Sequence, residues 1–290
     1  MLLDQHDGAA VYVALWRTGI RAMSLLVITP TLGRSPWLAE TVADVTAIAA
    51  EIPHLHALVT PPDRVAELRA RFPGTVVIAE PVGGGVYGAI NTGVAAVADA
   101  DWQWLTWIND DDRLRPGFGE IWRRTRGANG AAGIWYGDVE YIDEAGGVVA
   151  LLPVCRRAGD VPALLAAGVA PFTQQGAVID RTLWTRIGGL NPVLRIAGDF
   201  DFWMQAAAAG AQFGYVPQTV AGFRVRSGQL SGWVEVAQGE LAAVLRRRDL
   251  SVGCLRRWLA LARFRAGNLP RILGRVRRTG HLRSRGMFEC

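Results

Sequence analysis

Three consecutive carboxylates, Asp110, Asp111 and Asp112, follow directly on the apolar run Trp104–Ile108, with Asn109 before them and Arg113-Leu114 after. A short apolar run of that kind reads as a buried strand. In open α/β sheets ligands gather beyond the carboxyl ends of strands, and clustered carboxylates there can hold a hard divalent cation that bridges phosphate oxygens. The same residues could instead form a solvated acidic turn that caps the following helix. A second acidic pair stands in Ala197-Gly198-Asp199-Phe200-Asp201-Phe202-Trp203. If a helix begins there, Asp199 lies near its cap and the two carboxylates point differently.

Upstream of the triple aspartate runs Glu80-Pro81-Val82-Gly83-Gly84-Gly85-Val86-Tyr87-Gly88-Ala89-Ile90-Asn91-Thr92-Gly93, a glycine-rich turn entering a helical stretch. Glycines let backbone approach a ligand closely, and a helix N-terminus favours anionic groups. Ordinary turns also use such clusters, and this one matches neither the P-loop nor the G-x-G-x-x-G pattern.

The elements that must carry these residues alternate. Strands are predicted near Leu25–Thr29, Leu55–Val59, Thr75–Ala79 and Trp104–Ile108, with helices near Pro36–Glu51, Asp63–Arg71 and Val86–Ala98 as crossovers. That is the beginning of a Rossmann-like α/β fold with a largely parallel sheet. Beyond Asp112, Gly133–Ile142 and Gly147–Leu152 read as a hairpin around Asp143-Glu144-Ala145-Gly146. A strand near Gly176–Asp180, a helix from Phe200 to Ala209 and strands near Phe213–Val216 and Gly222–Val225 complete the domain, and the chain from about Glu235 onward reads as helical and basic.

Thr29-Pro30-Thr31 after the first strand, the Glu80–Gly93 stretch and Asn109–Leu114 together resemble the donor half of family 2 glycosyltransferases with a GT-A fold. In that family the segments are a strand ending in T-P-T, a D-x-G-x-Y-D-A-x-N-x-G stretch and an L-N-S-D-D-R-L stretch. Downstream, Tyr136-Gly137-Asp138 resembles the Y-G-D strand, and Gln174-Gln175 falls where many members have H-Q. Gly188-Gly189-Leu190-Asn191 with Gly198-Asp199-Phe200-Asp201-Phe202-Trp203 is similar to G-G-F-x and (E/G)-D-x-D-x-W, and Phe223–Ser231 to the closing R-x-H-x-G-S-x-S loop. The likeness covers Ser24 to Ser231. The chain departs from it at Gly88, where the family has aspartate, at Thr60-Pro61-Pro62-Asp63, a poor match to the base-recognising D-x-x-S-x-D, and at Arg226, which takes the histidine position. An arginine pairs with phosphate but cannot ligate a metal as a neutral imidazole does.

The resemblance implies inverting transfer of a sugar from a nucleotide diphosphate sugar, with UDP-sugars favoured, to an acceptor hydroxyl in bacterial surface polysaccharide or glycolipid synthesis. It implies that Thr29, Pro30, Thr31, Arg34, Glu80, Tyr87, Asn91, Asp110, Asp111 and Arg224 contact the donor, and that Asp110 and Asp112 hold Mg²⁺ or Mn²⁺. Asp199 would be the base that deprotonates the acceptor, supported by Asp201 and Arg226, with Gln174, Gln175 and Trp203 on the acceptor side. A catalytically silent nucleotide-sugar binding or scaffold protein is the alternative. The implied organisation is an extension over 1–22, a GT-A domain over 23–234 with donor half 23–115 and acceptor half 116–234, and a basic helical region over 235–290.

Composition narrows the setting. The chain has 290 residues, half of them hydrophobic, so it can bury a sizeable core. Its three cysteines show no C-x-x-C spacing, which suggests neither a disulfide framework nor a zinc site. No apolar run reaches the roughly 18 residues needed to span a bilayer, and Asp4 and Asp7 sit where a signal peptide wants positive charge, so a cytoplasmic location is expected. The net charge of +5 comes from arginine alone, much of it after Arg246. There Leu255, Trp258, Leu259, Leu261, Ala262 and Phe264 interleave with arginines at helical spacing, which predicts peripheral docking on the inner face of the cell membrane near a lipid-linked acceptor. The other reading packs those apolar residues on the domain. Nucleic acid is not expected as a partner, since no recognised module accompanies the charge.

Overall fold

The computed structural model describes residues 24–80, 83–127, 133–226 and 234–280. The proposed N-terminal extension, Pro81-Val82, Ser227–Ser231 of the closing loop, and Arg283 and Arg285 lie outside the described residues.

The strands are β1 (Leu25–Pro30), β2 (His54–Thr60), β3 (Val76–Ala79), β4 (Trp104–Trp107), β5 (Arg113–Leu114), β6 (Gly133–Ile142), β7 (Val148–Leu151), β8 (Ala177–Asp180) and β9 (Gln212–Arg224). The helices are α1 (Leu38–Ala47), α2 (Val65–Arg71), α3 (Gly85–Ala96), α4 (Phe118–Gly127), α5 (Val161–Ala166), α6 (Arg181–Ile187), α7 (Gly198–Ala208), α8 (Val234–Arg247) and α9 (Cys254–Thr279). One mixed sheet runs in the order β3-β2-β1-β4-β8-β6-β9-β5, with β7 paired to β6. The four strands of the first half are parallel, whereas β8 runs antiparallel to both β4 and β6. This is the expected α/β architecture.

Buried β1 and β4 carry apolar residues on both faces, as strands covered by helices on each side must. The two strands expected at Phe213–Val216 and Gly222–Val225 are one long strand, β9, paired in parallel with β6 through register shifts at Gly137–Val139. Bulges let a strand continue past an irregular stretch that reads as a break in the alternation.

The core is aromatic where the two halves meet. Trp203 of α7 stacks on Trp107 at the end of β4, with centroids 6.0 Å apart and planes at 11°, and Phe172 lies 4.9 Å from Trp203. Gly198 sits against the Tyr87 ring so closely that a Cβ would come within 2.5 Å of it. Among the described residues no helix is long and apolar enough to cross a membrane.

Candidate active site

The carboxylates emerge, as expected, directly beyond β4, but they separate into different environments. Thr31 donates its hydroxyl to Asp110 Oδ2 at 2.5 Å, and Ser35 donates to the Asp110 carbonyl at 2.9 Å, so the loop after β1 is fastened to the loop after β4. Burial, with a smaller contribution from neighbouring Asp111, pushes the Asp110 carboxyl up to about 6. Asp111 accepts from Arg226 Nε at 2.9 Å.

Asp112 is fully buried and its carboxylate is engaged inside the protein. Oδ2 accepts from Gln175 Nε2 at 2.8 Å and from Asn109 Nδ2 at 3.2 Å, while Oδ1 accepts the Arg224 backbone N–H at 2.9 Å. A metal at Asp112 would have to displace these donors from a dry interior, at the cost of leaving them unpaired. The expected metal role therefore moves off Asp112. Asp110 and Asp111 are the carboxylates whose chemistry suits a hard cation: two adjacent oxygen donors, one of them with its carboxyl raised by burial. Among the described residues no group of three or more His, Cys, Asp or Glu side chains converges as a metal cage, so phosphate oxygens and water would have to complete the coordination.

Several other residues assigned to the donor by resemblance point inward. Arg224 is fully buried and donates from Nε to the Asp111 carbonyl (2.7 Å), from Nη1 to the Asp143 and Glu144 carbonyls (3.1 and 2.6 Å) and from Nη2 to Glu40 (2.9 Å). It braces the loop behind the aspartates. Thr29 is buried and bonded to His56 Nε2 at 3.0 Å, and burial drives that imidazole down to about 3, so the pair is neutral. Pro30 is buried with it, whereas Arg34 is exposed on the same loop.

Tyr87 and Asn91 of α3 reach the loop between α6 and α7. Tyr87 donates to the Ile196 carbonyl at 2.6 Å, and burial followed by the neighbouring Asp199 carboxylate raises its hydroxyl well above the usual range. Asn91 mimics a strand neighbour, donating to the Leu190 carbonyl (2.7 Å) and accepting its N–H (2.9 Å). The glycine-rich motif thus anchors the loop that delivers Asp199. Glu80 keeps a buried Oε1 without a hydrogen-bond partner among the described residues, and burial raises its carboxyl.

At the head of α7 the two acids diverge. Asp199 is partly exposed, its carboxylate accepts the Phe200 N–H at 2.8 Å, and burial pushes it up to about 6. Asp201 is buried, clasped by the Arg248 fork and by Gln205 Nε2 at 3.2 Å. It fixes α7 to the start of the C-terminal region, with both carboxylate oxygens engaged inside the protein. Trp203 is likewise core, stacked as described, and Gln175 is buried and bonded to Asp112. Gln174 remains on that side with a buried Oε1 lacking a partner among the described residues.

Sequence reasoning missed three contributors. Trp37 lies beneath both arginines, 5.0 Å from Arg224 and 5.9 Å from Arg226, and donates Nε1 to the Glu144 carbonyl at 3.0 Å. Glu40 bridges Arg224 and Arg113 at 2.9 Å each. Both follow the T-P-T segment on α1 or just before it, and an aromatic in that loop was the available signal. Glu240 of α8 gave none: its carboxylate accepts the backbone N–H groups of Arg195 (2.7 Å), Ile196 and Ala197 (both 2.9 Å), immediately before Asp199. Hydrogen bonds to a charged acceptor contribute about 1.5–3 kcal/mol each. Glu240→Ala is expected to loosen this loop, lowering turnover roughly tenfold or more while the dissociation constant for the donor stays within about twofold. Parallel measurement of kcat and of donor binding checks it; equal losses in both would remove Glu240 from the positioning of Asp199.

No protein-family model matches the chain, and no curated protein matches it. Solved structures of the same fold do. A structure of S. aureus TarS superimposes with a TM-score of 0.55 at 15% identity, covering 85% of this chain, which spans only 44% of that one. A shorter TarS structure, residues 1–349 in complex with UDP-GlcNAc, gives a TM-score of 0.57 at 14% identity over 90% of this chain and 80% of that one. Glucosyl-3-phosphoglycerate synthase from Mycobacterium tuberculosis, in complex with Mn²⁺, UDP and glucosyl-3-phosphoglycerate, gives 0.51 at 14% identity over 86% and 85%. With its parallel first half, the antiparallel β8 and the acidic loop beyond β4, the chain has the GT-A glycosyltransferase fold.

Proposed function

We propose that this protein transfers a sugar from a UDP-sugar to an acceptor hydroxyl with inversion at the anomeric carbon, in the assembly of a surface polysaccharide or glycolipid. The observation that carries the reading is the Trp107–Trp203 stack. It packs the helix headed by Asp199 against the strand that runs into Asp110 and Asp111, which supports an acceptor base and a diphosphate-binding acidic loop acting at one site. The UDP and UDP-GlcNAc of the TarS and synthase complexes favour uridine diphosphate as leaving group.

In this mechanism Asp199 takes the proton of the acceptor hydroxyl as its oxygen attacks the anomeric carbon, and the carbon–phosphate-oxygen bond breaks on the opposite face. Asp110 and Asp111 would hold Mg²⁺ or Mn²⁺, which supplies Lewis-acid neutralisation of the departing diphosphate. Arg226, partly exposed beside Asp111 and over Trp37, adds a fixed positive charge there. Glu240, Tyr87 and Asn91 hold the Asp199 loop, and Arg224 with Glu40 holds the acidic loop.

The test is incubation of purified protein with a panel of nucleotide sugars, acceptors and Mn²⁺, with measurement of nucleotide diphosphate release and of anomeric configuration in the product. Tight donor binding without release from any donor would instead make the protein a silent nucleotide-sugar binder. The pH dependence has a definite sign. A base raised to about 6 is ionised above that pH and lost below it, so kcat at saturating donor is expected to rise through pH 6 and to fall about tenfold per unit beneath it. A flat profile from pH 5 to 7 would argue against Asp199 as the base.

A further inference from the structure

Helix α9 is turned inside out relative to an ordinary surface helix, which buries its apolar stripe and exposes its charges. Its domain-facing side carries Asn268, Arg271 and Arg275, all buried. Asn268 exchanges hydrogen bonds with the backbone of Val154, both at 3.0 Å, Arg271 pairs with Asp138 at 2.5 Å, and Arg263 forks onto Asp160 at 2.6 and 2.7 Å. Leu261 and Phe264, which the sequence placed on a docking face, pack against the core.

The opposite side is apolar and open. Leu255, Trp258, Leu259, Leu269 and Leu273 are 70%, 64%, 38%, 52% and 48% exposed, with Ala262 and Ala266 exposed between them. At the helical period these side chains lie within about 60° of one line for roughly 27 Å along the axis. Single exposed leucines are ordinary, but a continuous stripe marks a contact surface. Exposed Arg256, Arg265, Arg277 and Arg278 accompany it, and the helix contains neither aspartate nor glutamate.

We propose that this stripe lies in the interfacial plane of an anionic lipid bilayer, with Trp258 and the leucines in the headgroup–acyl boundary and the arginines on lipid phosphates. Charge decides between this occupant and a second copy of the chain. Self-pairing would bring two acid-free cationic helices together, whereas an anionic leaflet is complementary to the rim as well as to the stripe. The helix lies on the membrane; it is too polar to span it. Such docking would hold the enzyme where lipid-linked acceptors are, but it rests on α9 alone and not on the sugar-transfer reading.

The test uses the full chain and point variants, because truncation would also remove Arg248 from Asp201 and Arg271 from Asp138. Sedimentation is measured with vesicles of phosphatidylglycerol and phosphatidylcholine, and with phosphatidylcholine alone. The protein is expected to pellet with the anionic vesicles only and to be released by salt. Leu269→Glu with Leu273→Glu should lower the partition coefficient about tenfold or more, and Arg265→Gln or Arg277→Gln about fivefold each. Circular dichroism should be unchanged in these variants, since the replaced side chains are exposed. Failure of the wild type to pellet, undiminished pelleting of the folded double variant, or a concentration-dependent dimer abolished by that variant would each overturn the proposal. Sedimentation reads no turnover, so loss of docking would leave the transferase reading intact, and an inactive enzyme would leave docking intact.

Discussion

Asp199→Asn is expected to lower sugar transfer by roughly two to four orders of magnitude while leaving donor affinity almost unchanged. The asparagine keeps the size of the side chain, and its amide oxygen can still accept the Phe200 N–H that Asp199 accepts at 2.8 Å, so the head of α7 should hold its shape. What disappears is the capacity to take a proton. Donor affinity should persist because Arg226 and the acidic loop beyond β4 are untouched. Single-turnover kinetics with donor binding measured separately decide the matter. Full turnover in the variant would exclude Asp199 as the base, and an equal fall in donor binding would show that it touches the donor instead.

The second large effect separates two adjacent aspartates. Asp112→Asn is expected to unfold the protein at markedly lower temperature, because its carboxylate faces donors on both oxygens: Gln175 and Asn109 on one, the Arg224 N–H on the other. Either orientation of an asparagine amide sets an NH₂ against one of those donors in a fully buried site. A buried unsatisfied group costs about 1–3 kcal/mol, or roughly 2–12 °C in melting temperature for a chain of this size class. Asp111→Asn, also buried but with its carboxylate on the partly exposed Arg226, should be less destabilising while losing most metal-dependent donor binding. Thermal denaturation and donor titration with and without Mn²⁺, on both variants, provide the comparison. If Asp112→Asn melted normally and lost donor binding, the metal role would return to Asp112.

The division between these aspartates shows where sequence reading stopped. The position of the acids after an apolar strand was legible, because a short Trp-Leu-Thr-Trp-Ile run reads as a buried strand and ligands gather beyond strand ends in open α/β sheets. Which of three neighbours is sealed was not. That depends on Gln175, from the turn before β8, and on Arg224, at the end of β9, both brought in by strand pairings far apart in the chain. Tyr87 and Asn91 were recognisable as special residues of a glycine-rich helix entry, yet their partners lie about the loop at 190–198. Spacing within a motif therefore marked the residues without giving their direction.

By itself the sequence determined the order of strands and crossover helices, the parallel first half, the two acidic clusters and the acid-free arginine-rich C-terminal helix. All of these follow from local periodicity, turn residues and charge, which act over a few residues at a time. Only the tertiary structure decided that Asp199 stays partly exposed while Asp201 is clasped by Arg248, that Glu240 holds the loop ahead of Asp199, and that α9 turns Leu255, Trp258, Leu269 and Leu273 outward. The physical reason is the same in each case. A side chain's exposure and hydrogen-bond partners are set by which distant elements pack beside it; for α9 these are Asp138, Asp160 and the Val154 backbone, polar groups that pull Arg271, Arg263 and Asn268 inward and leave the apolar face to solvent.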